Sequence, residues 1–367
     1  MNTQPSQALP AQLILEDGTV FRGVSFGAPG VTTAEVVFNT AMNGYTESLT
    51  DPSYVGQILV MTYPMVGNYG VPDATTDANA IELYREHRKI CVSGLIVADY
   101  SGQYSHWNGA LSLSDWLKAE QIPAIEQIDT RALTKHIRTN GSMPGTIVVG
   151  DAPVPQSIAD PYEGVNRVAE VSCREIIRYG TGAKNVVMVD CGTKNNIIRH
   201  LIDDNFTLIR VPWDYDFTSI PNIDGIFLSN GPGDPGDCTV TIEHIRKSLG
   251  LQVPIFGICL GHQLLGHAIG GRIFKLKYGH RGHNQPVQMV GTNRCFITSQ
   301  NHSYTLDQNT IPKDWSAYFV NLNDGTNEGI RHNTLPYCSV QFHPEACGGP
   351  TDTTFFFDNF KKLILSR

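Results

Sequence analysis

The sequence predicts an α/β protein whose C-terminal half is a doubly wound, mostly parallel sheet, preceded by a smaller mixed α/β domain. Three observations carry that prediction. After about residue 185, short apolar runs alternate with helical patterns, the order that builds a parallel sheet covered on both faces. One of those runs, Val253-Pro254-Ile255-Phe256, ends in Gly257-Ile258-Cys259-Leu260-Gly261, a strand-to-helix elbow that belongs to such sheets. Before about residue 150, strands and helices follow no regular alternation.

The first domain, 1–150, opens on a hairpin over 13–21 that turns at Asp17-Gly18. Apolar strands are expected at 35–39, 57–63, 92–99 and 146–149. Helices are expected at 112–120 and 129–140, the second ended by Gly141. Residues 151–184, with Ala152-Pro153-Val154-Pro155 and Asp160-Pro161, read as a linker. The second domain, 185–367, runs strand 186–189, helix 195–204, strands 207–211 and 225–228, helix 239–249, then the elbow strand 253–258. Residues 272–331, with an Asn323-Asp324-Gly325 turn, read as an antiparallel extension. In an open sheet of this kind ligands bind beyond the carboxyl ends of the strands.

That edge carries the candidate chemistry. A cysteine on a tight elbow points outward, and glycines on both sides are needed because side chains there would meet neighbouring backbone. The helix N-terminus beneath Cys259 favours the thiolate, the attacking species. A buried structural cysteine, the commoner case, needs neither glycine. His343, in His343-Pro344-Glu345 after the strand 337–342, supplies a base, and Glu345 can hold the ring in one tautomer. The rigid loop Leu228-Ser229-Asn230-Gly231-Pro232-Gly233-Asp234-Pro235 lets backbone N–H groups approach an oxyanion, with the Leu260 N–H as the other half. The elbow alone fits a thioesterase or a protease equally well.

Together, Gly-Ile-Cys-Leu-Gly-His-Gln at 257–263, Ser-Asn-Gly-Pro-Gly-Asp-Pro at 229–235 and His-Pro-Glu at 343–345 resemble the triad-type glutamine amidotransferases. Phe38-Asn39-Thr40-Ala41-Met42-Asn43-Gly44-Tyr45, Thr50-Asp51-Pro52-Ser53-Tyr54 and Thr62-Tyr63-Pro64 are similar to the carbamoyl-phosphate synthase small-subunit family. So are 189–196 and Thr298-Ser299-Gln300-Asn301-His302, and the resemblance runs from about Leu13 to the end. It implies a glutaminase with Cys259, His343 and Glu345 as triad and glutamine contacts at Ser53, Gly231, Gly233, Leu260, Gln263, Asn301, Ser303 and Tyr304. Ser303-Tyr304 stands where relatives carry Gly-Phe, and Ser fits there only at negative φ. The implied partner is a large subunit that uses ATP, Mg and bicarbonate; heterodimers of the two can assemble further. No cofactor is expected on this chain, which has no Walker sequence or Gly-rich phosphate cradle. Rival readings are the glutaminase chain of anthranilate or guanylate synthesis, and a catalytically silent scaffold. The first lacks such an N-terminal domain, and the intact triad argues against the second.

Composition narrows the class further. A net charge of −8 and no Lys/Arg run longer than two argue against a nucleic-acid surface. No stretch approaches the roughly 18 apolar residues of a membrane span, and 1–12 has no secretory pattern. Eight cysteines without a CxxC pair fit free thiols in a reducing cytoplasm. The twelve histidines do not fall near cysteines at metal-ligand spacing, so no metal is expected. His262 and His267 read as packing or capping residues, Cys338 and Cys347 as structural thiols, and Arg281 and His283 as parts of the site wall.

Overall fold

Asp17 and Gly18 turn the chain between β1 (Pro10–Leu15) and β2 (Val20–Ser25), with Gly18 at φ +84° and Asp17 Oδ1 accepting from the Thr19 N–H at 2.9 Å. The structure, a computed structural model, describes residues 9–155, 157–158 and 161–367; Asp160 of the expected linker lies outside them. The chain then forms β3 (Gly30–Asn39), α1 (Tyr45–Thr50), β4 (Gln57–Met61), β5 (Met65–Val66), β6 (Gly94–Ile96) and β7 (Asp99–Tyr100). α2 (Leu113–Ala119), β8 (Ala124–Glu126), α3 (Thr130–Asn140) and β9 (Met143–Val149) complete this part. Ser112 and Asp129 cap the two longer helices by accepting from Asp115 N and Ala132 N, and Gly141 ends α3 at φ 106°.

Seven of these strands close into a barrel in the order β1-β2-β8-β6-β4-β3-β9, with β5 and β7 paired apart from it. Closure is the feature the sequence reading lacks. It rests on β1 pairing with β9, Leu13 opposite Ile147, a contact between residues far apart in the chain. Val37, Leu59, Leu95 and Ala124 pack with residues of α1 and α2 in one buried cluster.

Two compact units divide the chain. The first runs to Thr75 and continues over His87–Val165; the second takes Thr76–Glu86 and Asn166–Arg367. The boundary thus falls inside 151–184, and that stretch is not bare linker: it holds α4 (Arg167–Val171) and β10 (Ile177–Tyr179).

The second unit continues with β11 (Lys184–Asp190), α5 (Asn195–Leu201), β12 (Phe206–Pro212), β13 (Ile223–Leu228), α6 (Thr239–Ser248), β14 (Ile255–Ile258) and α7 (Leu260–Ala268). β15 (Ile273–Met289), β16 (Cys295–Leu306), β17 (Trp315–Asn321), β18 (Asn327–His332), β19 (Tyr337–Val340) and α8 (Phe355–Leu365) follow. They build one ten-stranded sheet, β10-β12-β11-β13-β14-β19-β18-β17-β15-β16. Its centre, β12 to β19, is parallel; β10 and the β18-to-β16 extension are antiparallel.

β11 shows why the centre reads as a continuous apolar run. Val187 and Val189 pack toward α6 and α7, while Val186 and Met188 pack toward α5 and α8, so both faces are buried. On the α8 side, Phe227 and Phe256 meet edge to face at 5.5 Å, and Phe356, Phe357 and Phe360 close over them. This rigid slab presents the carboxyl ends of β11, β13, β14 and β19 along one edge.

Candidate active site

Cys259 leaves β14 with φ 52° and ψ −103°, a conformation a non-glycine residue adopts only under strain. The surroundings hold it there. Its N–H donates to Val340 O at 2.9 Å, its carbonyl accepts from the Gln263 N–H at 3.1 Å, and the N–H of Gly261, two residues on, donates to Ser229 O at 3.0 Å. Both flanking glycines are steric requirements: a Cβ on Gly257 would lie 2.8 Å from the Gly261 backbone, and one on Gly261 would lie 2.3 Å from Leu228 O. The elbow expected from the sequence is therefore built as expected. The thiol faces the strand β16, donating to Asn301 O at 3.6 Å.

His343 follows β19, its backbone N–H donating to Ser299 O at 2.9 Å. Its Nδ1–H donates to Glu345 Oε1 at 2.7 Å, which fixes the tautomer and leaves Nε2 buried without a hydrogen-bond partner. Burial and the Lys194 ammonium push the imidazolium down, but Glu345 and Cys259 outweigh them and raise it to about 10. Burial pushes Glu345 up, and Lys194 and His343 more than reverse it, to about 2.

The residue that sequence reasoning passed over is Lys194. Its Nζ lies 3.1 Å from Glu345 Oε1 and 3.1 Å from His343 Nδ1, with the side chain only 8% exposed. Both nitrogens carry protons, so the shared carboxylate holds them together. The turn before α5 aims it: Lys194 N–H donates to Asn230 Oδ1 at 3.2 Å. The Asn196 side chain donates to Glu345 O, and its backbone N–H donates to Glu86 Oε2 at 3.0 Å. Burial raises Glu86 to about 7 against the lowering effect of Lys194. The signal was present as Thr193-Lys194-Asn195-Asn196, which nothing in the sequence ties to His343.

The remaining candidates fall as follows. The Gly/Pro loop lies against the elbow, for a Cβ on Gly231 would meet Leu260 Cδ2 at 2.8 Å and Cys191 O at closer range still; Gly233 sits at φ 86°. Leu260 opens α7, where its N–H stands outside the intrahelical ladder. Gln263 Nε2 donates to Tyr304 O at 2.9 Å and Gln341 Oε1 at 3.0 Å. Ser303 is absent from the positive-φ residues, so the Gly-to-Ser difference costs no backbone strain, and its Oγ accepts from Arg281 Nη2. Asn301 and Tyr304 thus meet the elbow region through main-chain carbonyls. Ser53 lies in the first unit, in a short turn where its N–H donates to Asp51 Oδ1 at 2.9 Å. His262 is buried against Ser339 Oγ at 2.9 Å and pushed down to about 3 by burial, a packing residue.

An elbow cysteine, a carboxylate-held histidine and a glycine loop on one edge of a parallel sheet define a class-I glutamine amidotransferase domain. The model of that family, glutamine amidotransferase class-I, matches residues 187–363, and the carbamoyl-phosphate synthase small chain, CPSase domain, matches 13–147. The carbamoyl phosphate synthase arginine-specific small chain of Aspergillus oryzae is 47% identical over 355 residues, 95% of this chain and 79% of the relative. That of Aspergillus niger is 47% identical over 362 residues, 97% of this chain and 80% of the relative. The multifunctional protein CAD of Squalus acanthias is 48% identical over 356 residues, 95% of this chain but 16% of that protein. The chain belongs to the carbamoyl-phosphate synthase small-chain family.

Proposed function

We propose that this chain is the glutaminase subunit of a glutamine-hydrolysing carbamoyl-phosphate synthase. It cleaves L-glutamine and passes ammonia to a large subunit that makes carbamoyl phosphate from bicarbonate, with ATP and Mg bound by that partner and no cofactor on this chain. The observation that carries the reading is the thiol–imidazole–carboxylate array on a strained elbow, in a chain that also has the small-chain N-terminal domain.

Cys259 thiolate attacks the side-chain amide carbon of glutamine, and the oxyanion forms against the N–H groups of Leu260 and the Gly231/Gly233 loop. The His343 imidazolium gives its Nε2 proton to the departing nitrogen, and ammonia leaves a γ-glutamyl thioester. Water then attacks the thioester carbon, His343 takes its proton, and glutamate and thiolate are released. Glu345 holds the ring through Nδ1 at both steps. Gln263, Asn301, Ser303 and Tyr304 border the glutamine, and Ser53 is kept as a further glutamine contact on the family resemblance alone.

Ammonia is mostly protonated near neutral pH and is lost to solvent unless it is handed on, so the partner is part of the reaction. The first unit, in which no catalytic array is found among the described residues, is the proposed surface for it. Free thiols and the absence, among the described residues, of a helix able to cross a membrane support a cytoplasmic site of action. Arginine and pyrimidine synthesis are the proposed uses of the product, and heterodimers are free to assemble further.

The test is Cys259→Ser in the complex with the large chain. Glutamine-dependent synthesis should fall by at least about 10³-fold, while synthesis from added ammonia continues. Glutamine-dependent synthesis that survives the substitution would sink the mechanism.

A further inference from the structure

Behind the β16 strand that faces Cys259, three side chains from three strands converge: His280 on β15, His302 on β16 and Glu328 on β18. Register places His280 opposite His302, and their rings meet edge to face with centroids 4.9 Å apart. All three residues are buried, Glu328 completely. We propose that His280 Nδ1, His302 Nε2 and the Glu328 carboxylate, completed by Gln300 Oε1, bind one divalent transition-metal ion of the zinc class. The sequence reading expected no metal because it looked for ligands at local spacing; these are brought together by strand register instead.

The outer nitrogens come first. His280 Nε2 lies 2.8 Å from Asp324 Oδ2, and His302 Nδ1 lies 2.8 Å from Tyr304 O. Both acceptors lack protons, so both outer nitrogens carry the N–H. A carboxylate on one ring and a main-chain carbonyl on the other are the partners that orient metal-binding histidines, leaving the inner nitrogens as lone pairs.

The inner contacts are mismatched without a cation. His302 Nε2 lies 3.2 Å from Gln300 Oε1, yet the single proton of a neutral imidazole is already on Nδ1. Reversing the Gln300 amide does not repair this. Its nitrogen donates to Thr298 Oγ1 at 3.2 Å, and that hydroxyl proton is committed to Gln285 O at 2.8 Å. His280 Nδ1 lies 3.5 Å from both Glu328 Oε1 and Asn321 Nδ2, long for hydrogen bonds; Asn321 Nδ2 itself donates to Glu328 Oε1 at 2.8 Å, while Glu328 Oε2 is buried with no hydrogen-bond partner. Protonating His280 would satisfy its contact to Glu328. It would leave the His302–Gln300 contact and Glu328 Oε2 as they are.

The spacing agrees with coordination. A tetrahedral shell of radius about 2.0–2.1 Å has edges of about 3.3–3.4 Å, and the two inner contacts are 3.2 and 3.5 Å. The ligand atoms of the histidines and Glu328 lie within 4.8 Å of one another, so the widest pair must draw in somewhat around an ion. Two imidazoles, a carboxylate and an amide oxygen suit zinc, whereas calcium and magnesium prefer all-oxygen sets. The ion would anchor β16 at His302, between Asn301 and Ser303. Tyr304 O, held by His302, also accepts from Gln263.

The proposal does not rest on the glutaminase reading, and its test is not an activity. The full chain is taken in a Cys259→Ser background, which removes the active-site thiol as a competing ligand. Stripped with chelator and titrated with Co²⁺, it should take up one equivalent with the visible d–d bands of a four-coordinate ion. Zn²⁺ should displace the cobalt and raise the Tm. Glu328→Gln should weaken binding at least tenfold. Asp324→Asn, at a partly exposed outer partner whose Oδ1 can still accept from Thr326 after the change, should weaken it about 10–100-fold and keeps the test decisive if Glu328→Gln fails to fold. Absence of both the cobalt spectrum and the Tm shift would overturn the proposal. So would affinity unchanged in both variants. Either result would leave the His280 imidazolium as the resident cation between Asp324 and Glu328.

Discussion

Lys194 Nζ lies 3.1 Å from Glu345 Oε1, inside the protein and beside the His343 imidazole. A carboxylate that only oriented His343 would need no second cation. The lysine makes Glu345 a shared counter-ion, and its charge opposes that of Glu345 on His343. The imidazole therefore sits between two effects of opposite sign, and the balance sets how readily it shares a proton with Cys259.

Lys194→Met should disturb both stability and titration. Removing one partner of a buried ion pair costs about 3–5 kcal/mol, softened here because His343 still donates to Glu345. Since Lys194 lowers the imidazole pKa, its loss should move the alkaline limb of kcat/KM for glutamine to higher pH, with a lower maximum. A pH profile of the variant complex checks this. An unmoved limb would show that the lysine acts through folding alone.

The strained elbow predicts a trade between stability and chemistry. Cys259 at φ 52° and ψ −103° stores energy of order 1–3 kcal/mol. Cys259→Gly and Cys259→Ala both abolish the thiol, but only glycine relieves the backbone. Cys259→Gly should therefore be at least as stable as Cys259→Ala, by about 1 kcal/mol, despite glycine's larger entropy loss on folding. Thermal unfolding of the two variants decides it, and a markedly less stable Cys259→Gly would remove the strain argument.

The elbow was legible because its requirements are local. Gly257 and Gly261 each abut backbone where a Cβ would clash, so their steric role shows in five consecutive letters. Ser112, Asp129 and Gly141 marked helix ends for the same reason. Barrel closure was not legible, since Leu13 meets Ile147 only through tertiary register. Lys194 escaped for a related cause: a lysine before a helix looks solvated until β11 and β19 bring it against Glu345. The His280, His302 and Glu328 cluster is the extreme case, one residue from each of three strands.

Glu86 predicts a stability change near neutral pH. Burial raises its carboxyl from an ordinary 4.5 to about 7. The folded chain therefore binds a proton that the unfolded chain has lost between those values. This stabilisation is fully present below about pH 4.5 and disappears as pH rises through 7. Glu86→Gln, which keeps an acceptor for the Asn196 N–H, should remove that dependence. Above pH 7 the variant should be more stable than the parent by ~1–3 kcal/mol, read from denaturant unfolding at pH 5 and pH 8. An equal pH slope in both proteins would mean that Glu86 is charged throughout.

Glu345→Gln tests the shared counter-ion directly. The folded pKa of Glu345, about 2, lies below its ordinary value, so its charge stabilises the fold above about pH 4.5, and that contribution is lost as pH falls toward 2. His343 is the mirror case: raised to about 10, it contributes fully below about pH 6.5 and loses the contribution as pH rises through 10. In Glu345→Gln the lysine keeps its charge beside the imidazole without the carboxylate that outweighed it. The imidazolium then becomes less favourable, the thiolate pair less populated, and kcat for glutamine should fall by ~10²–10⁴. Adding Lys194→Met takes away that opposing charge and should restore part of the loss. The double variant should therefore be less impaired than the product of the single effects, by more than about 1 kcal/mol in transition-state free energy. Strict additivity would show that Lys194 and Glu345 act on His343 independently, and the shared role would fall.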